Sequence, residues 1–158
     1  MRKGFQQVID LANGFGSLKF GLAMQDVENI LGHPDETELI DPETGMSADW
    51  HYRLLKLHVG FFDDPTDVRR HGLQVASFLI GSQSATLWGI RVVGLGKLEI
   101  LRLFDEHGYL GFTVRADHPV VRGYETLRLD KSHITLDFHN GILRRMLWGL
   151  VHDNERTA

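Results

Sequence analysis

Residues 18–34 read LKFGLAMQDVENILGHP, and this stretch decides much of the fold that the sequence predicts. Val27, Ile30 and Leu31 have the i, i+3, i+4 spacing that places apolar side chains on one face of a helix. Gly32 follows this run, at the place where a left-handed glycine commonly ends a helix, and Pro34 prevents any continuation. We therefore expect a short helix that needs a packing partner, since about ten residues do not stay helical alone.

Residues 91–108, RVVGLGKLEILRLFDEHG, repeat this pattern. When the chain is shifted so that Gly21 falls on Gly94, Leu22 falls on Leu95. The same shift places the apolar helix face of the first stretch on Ile100, Leu103 and Phe104. Gly108 follows the second run as a glycine follows the first. The sequence therefore predicts two equivalent short helices.

Alternating apolar and polar residues predict antiparallel strands after each helix. The predicted strands are Asp49–Leu55 and Leu57–Phe61 in the first half, and Gly123–Leu129 and Ile134–Phe138 in the second. Asn140-Gly141 predicts a tight hairpin to a last strand. The matching turn of the first half, FDDPTDVRRHG at residues 62–72, is longer and acidic.

The shared order of elements indicates an internal duplication. We expect one repeat at residues 1–83 and a second at residues 84–158. The predicted fold class is α+β, with two tandem units that each pack a short helical segment on an antiparallel β-sheet.

The first repeat resembles the SmpA/BamE-like family of outer-membrane assembly lipoproteins. The resemblance rests on Gly21-Leu22, Val27 and Leu31-Gly32-His33-Pro34, followed by Trp50, Tyr52 and Leu57-x-Val59-x-Phe61. Two such units in one chain resemble the architecture of the β-lactamase-inhibitory protein family. The resemblance implies helices on one sheet face and the binding of other proteins on the open face. This chain has no cysteine, whereas the lipoproteins carry a lipidated one and the inhibitors carry disulfides.

Composition narrows the class of protein. The 158 residues are 42% hydrophobic and 24% charged, as in ordinary globular proteins, and the net charge is −4. Scattered Lys and Arg argue against nucleic-acid binding, and no apolar run is long enough to span a membrane. The sequence predicts a cytoplasmic protein that binds neither nucleic acid nor membrane; a homodimer is left open.

Motifs for chemistry are weak. Asp137 and His139 could supply two metal ligands, but the sequence nominates no third ligand, and the loop at residues 63–71 lacks the ligand order of a calcium site. Gly94-Leu95-Gly96-Lys97 does not match a phosphate-binding motif, and no serine stands in a nucleophile elbow. We therefore predict no catalytic residues, no metal and no cofactor.

The predicted function is a non-catalytic protein-binding module, such as a bacterial inhibitor or a toxin-immunity protein. Aromatic side chains dominate protein-binding surfaces, and a polar face rich in histidine is expected beside them. The predicted partner-binding residues are Trp50, Tyr52, His58, Phe62, Tyr124, Asp137, His139 and Trp148. The alternative is a small-molecule or metal-binding protein, or an enzyme, that uses a cleft between the two units.

Overall fold

The structure is a computed structural model that describes residues 4–40, 46–63, 72–115 and 122–150. Two α-helices are present in this part of the chain, α1 (Met24–Leu31) and α2 (Lys97–Glu106), together with one 3₁₀ turn at Asp130–Ser132. Neither α-helix is long and apolar enough to cross a membrane. Residues 64–71, most of the predicted acidic turn, lie outside the described residues.

Strands form the greater part of the structure. In chain order they are β1 (Val8–Asp10), β2 (Gly14–Phe15), β3 (Leu18–Lys19), β4 (Glu36–Ile40), β5 (Ser47–Tyr52), β6 (Leu57–Phe62), β7 (Gln74–Ile80), β8 (Thr86–Leu87), β9 (Ile90–Arg91), β10 (Thr113–Val114), β11 (Tyr124–Leu129), β12 (Ile134–His139) and β13 (Ile142–Gly149).

These strands form two sheets. The larger sheet has eight strands in the order β10-β11-β12-β13-β7-β6-β5-β4, and all its neighbouring strands are antiparallel. Two four-stranded meanders, β4–β7 and β10–β13, therefore meet at the β7–β13 pair, where Phe78 lies opposite Trp148. The smaller sheet has the order β3-β2-β1-β8-β9 and contains a parallel pair, β1 with β8.

The predicted fold class is wrong. The fold is mostly β, with 46% of the described residues in strands and 16% in helices. The two halves do not form separate helix-on-sheet units, because β7 and β13 join their strands into one eight-stranded sheet. The five-stranded sheet was missed since its strands have only two or three residues, too few for alternation to reveal them.

Both predicted helices and the alternating strands are confirmed, and equivalent hydrogen bonds hold the two helix starts. The amide of Gly21 donates to the Val75 carbonyl at 2.9 Å, and the amide of Val75 donates to the Leu22 carbonyl at 2.9 Å. In the second half, the Gly94 amide donates to Leu143 at 2.8 Å, and the Leu143 amide donates back to Leu95 at 2.9 Å. The repeated Gly-Leu pair thus ties each helix start to the last strand of its meander.

The core lies between the larger sheet and the layer formed by the helices and the smaller sheet. Each central strand of the larger sheet turns alternate side chains into this core, as the pleat of a strand requires. At its centre, the Phe15 ring of the smaller sheet lies 6.1 Å from Phe78 and 5.8 Å from Trp148. The smaller sheet therefore covers the β7–β13 junction, while the helices cover the flanks.

Candidate binding face

The larger sheet has one face towards the core, and its other face, which points away from the core, is called the open face. It is formed by side chains that alternate with the buried ones and that are half-buried or exposed. No helix or strand of the described part of the chain packs over it. Its residues include Glu36, Asp49, His51, His58, Phe62, Leu79, Tyr124, Thr126, Arg128, Thr135, Asp137, His139, Arg145 and Leu147.

Three of the predicted partner-binding residues lie in the core instead. Trp50 and Tyr52 are buried on β5, and Trp148 is fully buried on β13. The Trp148 indole donates a hydrogen bond to the Gly14 carbonyl at 3.2 Å, so its polar atom is already satisfied inside the protein. These residues were predicted to bind a partner because aromatic side chains are common in protein interfaces, but they are also common in protein cores. They are not part of the open face.

The other five predicted residues share the open face. Phe62 and Tyr124 are exposed, with 41% and 58% of their surface accessible, although large apolar side chains usually avoid water. They lie on opposite halves of the sheet. Between them run the half-buried Leu79 and Leu147, which face each other across the β7–β13 pair. An apolar pair therefore lies in the middle of an otherwise polar surface, with one exposed aromatic ring on each side of it.

Asp137 organises the polar contacts of the second half. Its carboxylate accepts a hydrogen bond from the Thr126 hydroxyl at 2.8 Å and another from the Arg145 guanidinium at 3.0 Å. Beside it the His139 ring stacks on the Tyr124 ring, with centroids 4.2 Å apart and an 11° angle between the planes. These contacts fix the side chains of three adjacent strands in one arrangement.

A pair of histidines organises the first half. The His51 and His58 rings stack with centroids 4.0 Å apart and planes 9° apart. His58 Nδ1 lies 2.7 Å from an Asp49 carboxylate oxygen, and His51 Nδ1 lies 3.5 Å from Glu36. A hydrogen bond from Arg53, and to a smaller extent one from His51, holds the pKa of Glu36 below its ordinary value. This half therefore also presents an ordered polar network.

The described residues line three of the depressions on the open face. The largest, about 1100 Å³, lies over the second half and is lined by Tyr124, Asp137 and His139. A second, of about 490 Å³, crosses the β7–β13 junction between Phe62 and Thr135. The third, of about 290 Å³, lies where β6 begins and β7 ends, beside the first half of β13. The open face is therefore indented from β10 to β5.

The predicted partner-binding residues do not include His51, Arg145 or the Leu79–Leu147 pair, which also lie on this face. The alternation of β5 and β6 contained the signal for His51, because it stands opposite His58 in the register of the hairpin. No signal of this kind existed for Leu79 and Leu147, since only the pairing of the two halves brings them together. Among the described residues, no group of three or more His, Cys, Asp or Glu could hold a metal ion.

Comparison with known proteins assigns no family. No protein-family model matches the chain, and no curated protein matches its sequence. Among solved structures, the chain is similar to an extracellular protein containing an SCP domain from Bacillus anthracis str. Ames, at 9% sequence identity and a TM-score of 0.47. The likeness covers 95% of this chain and 50% of that chain, so this chain spans about half the length of that protein.

Proposed function

We propose that this chain is a non-catalytic protein-binding module that holds its partner on the open face. The observation that carries the proposal is the asymmetry of the larger sheet. One face is covered by the helices and the smaller sheet, while the other face has two exposed aromatic rings, Phe62 and Tyr124, and the half-buried Leu79–Leu147 pair between them.

The chemistry of this face suits a protein partner. Aromatic and arginine side chains contribute most to protein-binding energy when polar neighbours surround them. Tyr124 stacks on His139, and Arg145 is held by Asp137, so both are already ordered before a partner arrives. A preordered surface loses less conformational entropy on binding, which favours tight and specific association. Within this class, we propose a bacterial inhibitor or a toxin-immunity protein.

The test is capture of a partner from lysate of the native host by the immobilised chain. We expect one protein to be retained in stoichiometric amount by the wild type and lost with Phe62→Ala/Tyr124→Ala. The matched control is Ile90→Ala/Leu98→Ala, which removes two exposed apolar side chains outside the open face and should retain the partner. Capture of no protein, or equal capture by both double variants, would contradict the proposal.

A second candidate function is small-molecule binding at the β7–β13 junction. The observation that favours it is the depression of about 490 Å³ lined by residues of both halves, among them Gln74, Ser77, Thr135 and Leu147. This volume lies within the range of small-molecule pockets, roughly 300–1,000 Å³. A metabolite that raises the melting temperature of the wild type, and not that of Ser77→Leu, would support this function over protein binding.

A further inference from the structure

The depression of about 290 Å³ beside the start of β6 is lined by an excess of positively charged side chains. Three cationic side chains and two histidines contribute to its wall, and no carboxylate of the described residues lines it. The polar residues that matter here are His51, Lys56, His58, Gln83, Arg144 and Arg145. The chain as a whole carries a net charge of −4, so this local excess of positive charge opposes the overall balance.

Two of the cations have no carboxylate partner among the described residues. The Arg145 guanidinium is already paired with Asp137. Lys56 and Arg144 are exposed, and neither forms a salt bridge with any residue in the described ranges. Both residues line the same depression, where a bound anion would supply the counter-charge that they lack among the described residues.

The backbone brings Lys56 and Arg145 together at Gly81, and a Cβ built on this glycine would lie 3.4 Å from the Arg144 carbonyl oxygen. The Gly81 amide donates to the Lys56 carbonyl at 2.9 Å, and Lys56 has a left-handed φ of 47° that a sharp turn imposes. A Cβ built on Gly81 would lie 3.7 Å from the Lys56 Cβ and 3.8 Å from the Arg145 Cγ. The stems of both cationic side chains thus start beside the same glycine. The backbone at the start of β6 and the end of β7 therefore places these two side chains next to each other.

We propose that this depression binds a phosphate group. A phosphate carries close to two negative charges at neutral pH and accepts several hydrogen bonds, which Arg144, Lys56 and the Gln83 amide can donate. The volume is at the lower limit of small-molecule pockets, so it suits one tetrahedral anion rather than a larger apolar ligand. This site does not depend on the proposed protein partner.

The test is a titration of the ¹⁵N-labelled chain followed by ¹H–¹⁵N correlation spectra at constant ionic strength. Inorganic phosphate should produce saturable shifts at the amides of Lys56, Gly81 and Arg144. Loss of two charge-assisted hydrogen bonds in Lys56→Ala/Arg144→Ala should weaken phosphate binding about tenfold or more. The matched control Lys19→Ala/Arg91→Ala removes the same charge from the exposed side of the smaller sheet and should bind as the wild type does.

Titrations with inorganic phosphate and with methyl phosphate distinguish a site for the free anion from a site for a phosphate ester. Saturation by both supports a site for a phosphate ester on a larger molecule, and saturation by inorganic phosphate alone supports a site for the free anion. Shifts that do not saturate, or equal weakening in the two double variants, would overturn the proposal. If the Lys56→Ala/Arg144→Ala spectrum shows an unfolded chain, the exposed Arg144→Gln carries the test and should weaken binding severalfold.

Discussion

The Trp148 indole nitrogen lies 3.2 Å from the Gly14 carbonyl oxygen, and this hydrogen bond joins the last strand of the larger sheet to the smaller sheet. The contact is buried, and the Trp148 ring also packs against Phe15 and Phe78. It links residues near opposite ends of the described chain. The two sheets are therefore held together at the junction of the two meanders.

We expect Trp148→Phe to lower the free energy of unfolding by about 2–3 kcal/mol, because it leaves the Gly14 carbonyl without its donor and a space beside Phe15. Urea unfolding followed by circular dichroism measures this. Tyr124→Phe is the control, since the 58% exposed ring of Tyr124 should change stability by less than about 0.5 kcal/mol. If the two variants have equal free energies of unfolding, Trp148 does not contribute to the core as described.

A second prediction concerns the Tyr52 hydroxyl, which donates to the Gly32 carbonyl at 2.9 Å and so anchors the end of α1. Burial, with the Glu28 and Asp35 carboxylates adding to it, raises the pKa of Tyr52 from 10.0 to about 12. The folded chain holds this proton more tightly than the unfolded chain. The associated stability is thus fully present below pH 10 and is lost as the pH rises towards about 12.

Denaturant unfolding of the wild type and of Tyr52→Phe across this pH window tests the second prediction. The wild type should be more stable by about 1 kcal/mol at pH 8, the typical contribution of one hydrogen bond. This difference should shrink as the pH rises above 10. A difference that stays constant up to pH 12 would show that Tyr52 ionises as freely in the folded chain as in the unfolded one.

The third prediction follows from the duplicated helix starts. Gly21 and Gly94 have φ angles of 91° and 104°, which side chains with a Cβ rarely adopt. Gly21→Ala and Gly94→Ala should each lower the free energy of unfolding by about 1–2 kcal/mol. Gly96→Ala is the control, since its φ is −71° and the first repeat already has alanine at Ala23. If Gly96→Ala lowers the free energy of unfolding as much as the other two variants do, the left-handed φ of Gly21 and Gly94 is not the cause of their loss.

The fourth prediction concerns the proton of the His58 ring. Asp49 offers only acceptors to His58 Nδ1 at 2.7 Å, so Nδ1 has to carry a proton even in the neutral ring. Long-range ¹H–¹⁵N spectra of the side chain should show the Nδ1-protonated tautomer. In Asp49→Ala the ring should return to the Nε2-protonated tautomer that free histidine prefers. A neutral wild-type ring protonated on Nε2 would show that this contact does not form.

Much of the local structure could be predicted from the sequence. Gly21-Leu22 and Gly94-Leu95 marked both helix starts, and Asn140-Gly141 marked the hairpin, where Asn140 and Gly141 adopt φ angles of 50° and 77°. Such turns depend on nearby residues alone, so their signal is contained in a short stretch. The same holds for the alternation that placed His58, Asp137 and His139 on one polar face.

The assembly of the sheets could not be predicted. The pairing of β7 with β13 and of β1 with β8 joins segments far apart in the chain, and no local pattern specifies such contacts. Trp148 could not be told from an exposed aromatic residue, because the layer over it consists of very short strands. Trp50 and Tyr52 lie opposite Val59 and Leu57, so their burial follows from the face that they share with these core residues. Resemblance to a lipoprotein family and a location in the cytoplasm stay predictions.

The most direct test of partner binding on the open face is site-specific photocrosslinking. p-Benzoylphenylalanine in place of Tyr124 should form one major crosslinked product with the partner in native-host lysate. In place of Leu98 on α2, which is 77% exposed, the same group should form none, although it is more accessible. A product at Leu98 and none at Tyr124 would show that the partner binds the helical side and not the open face.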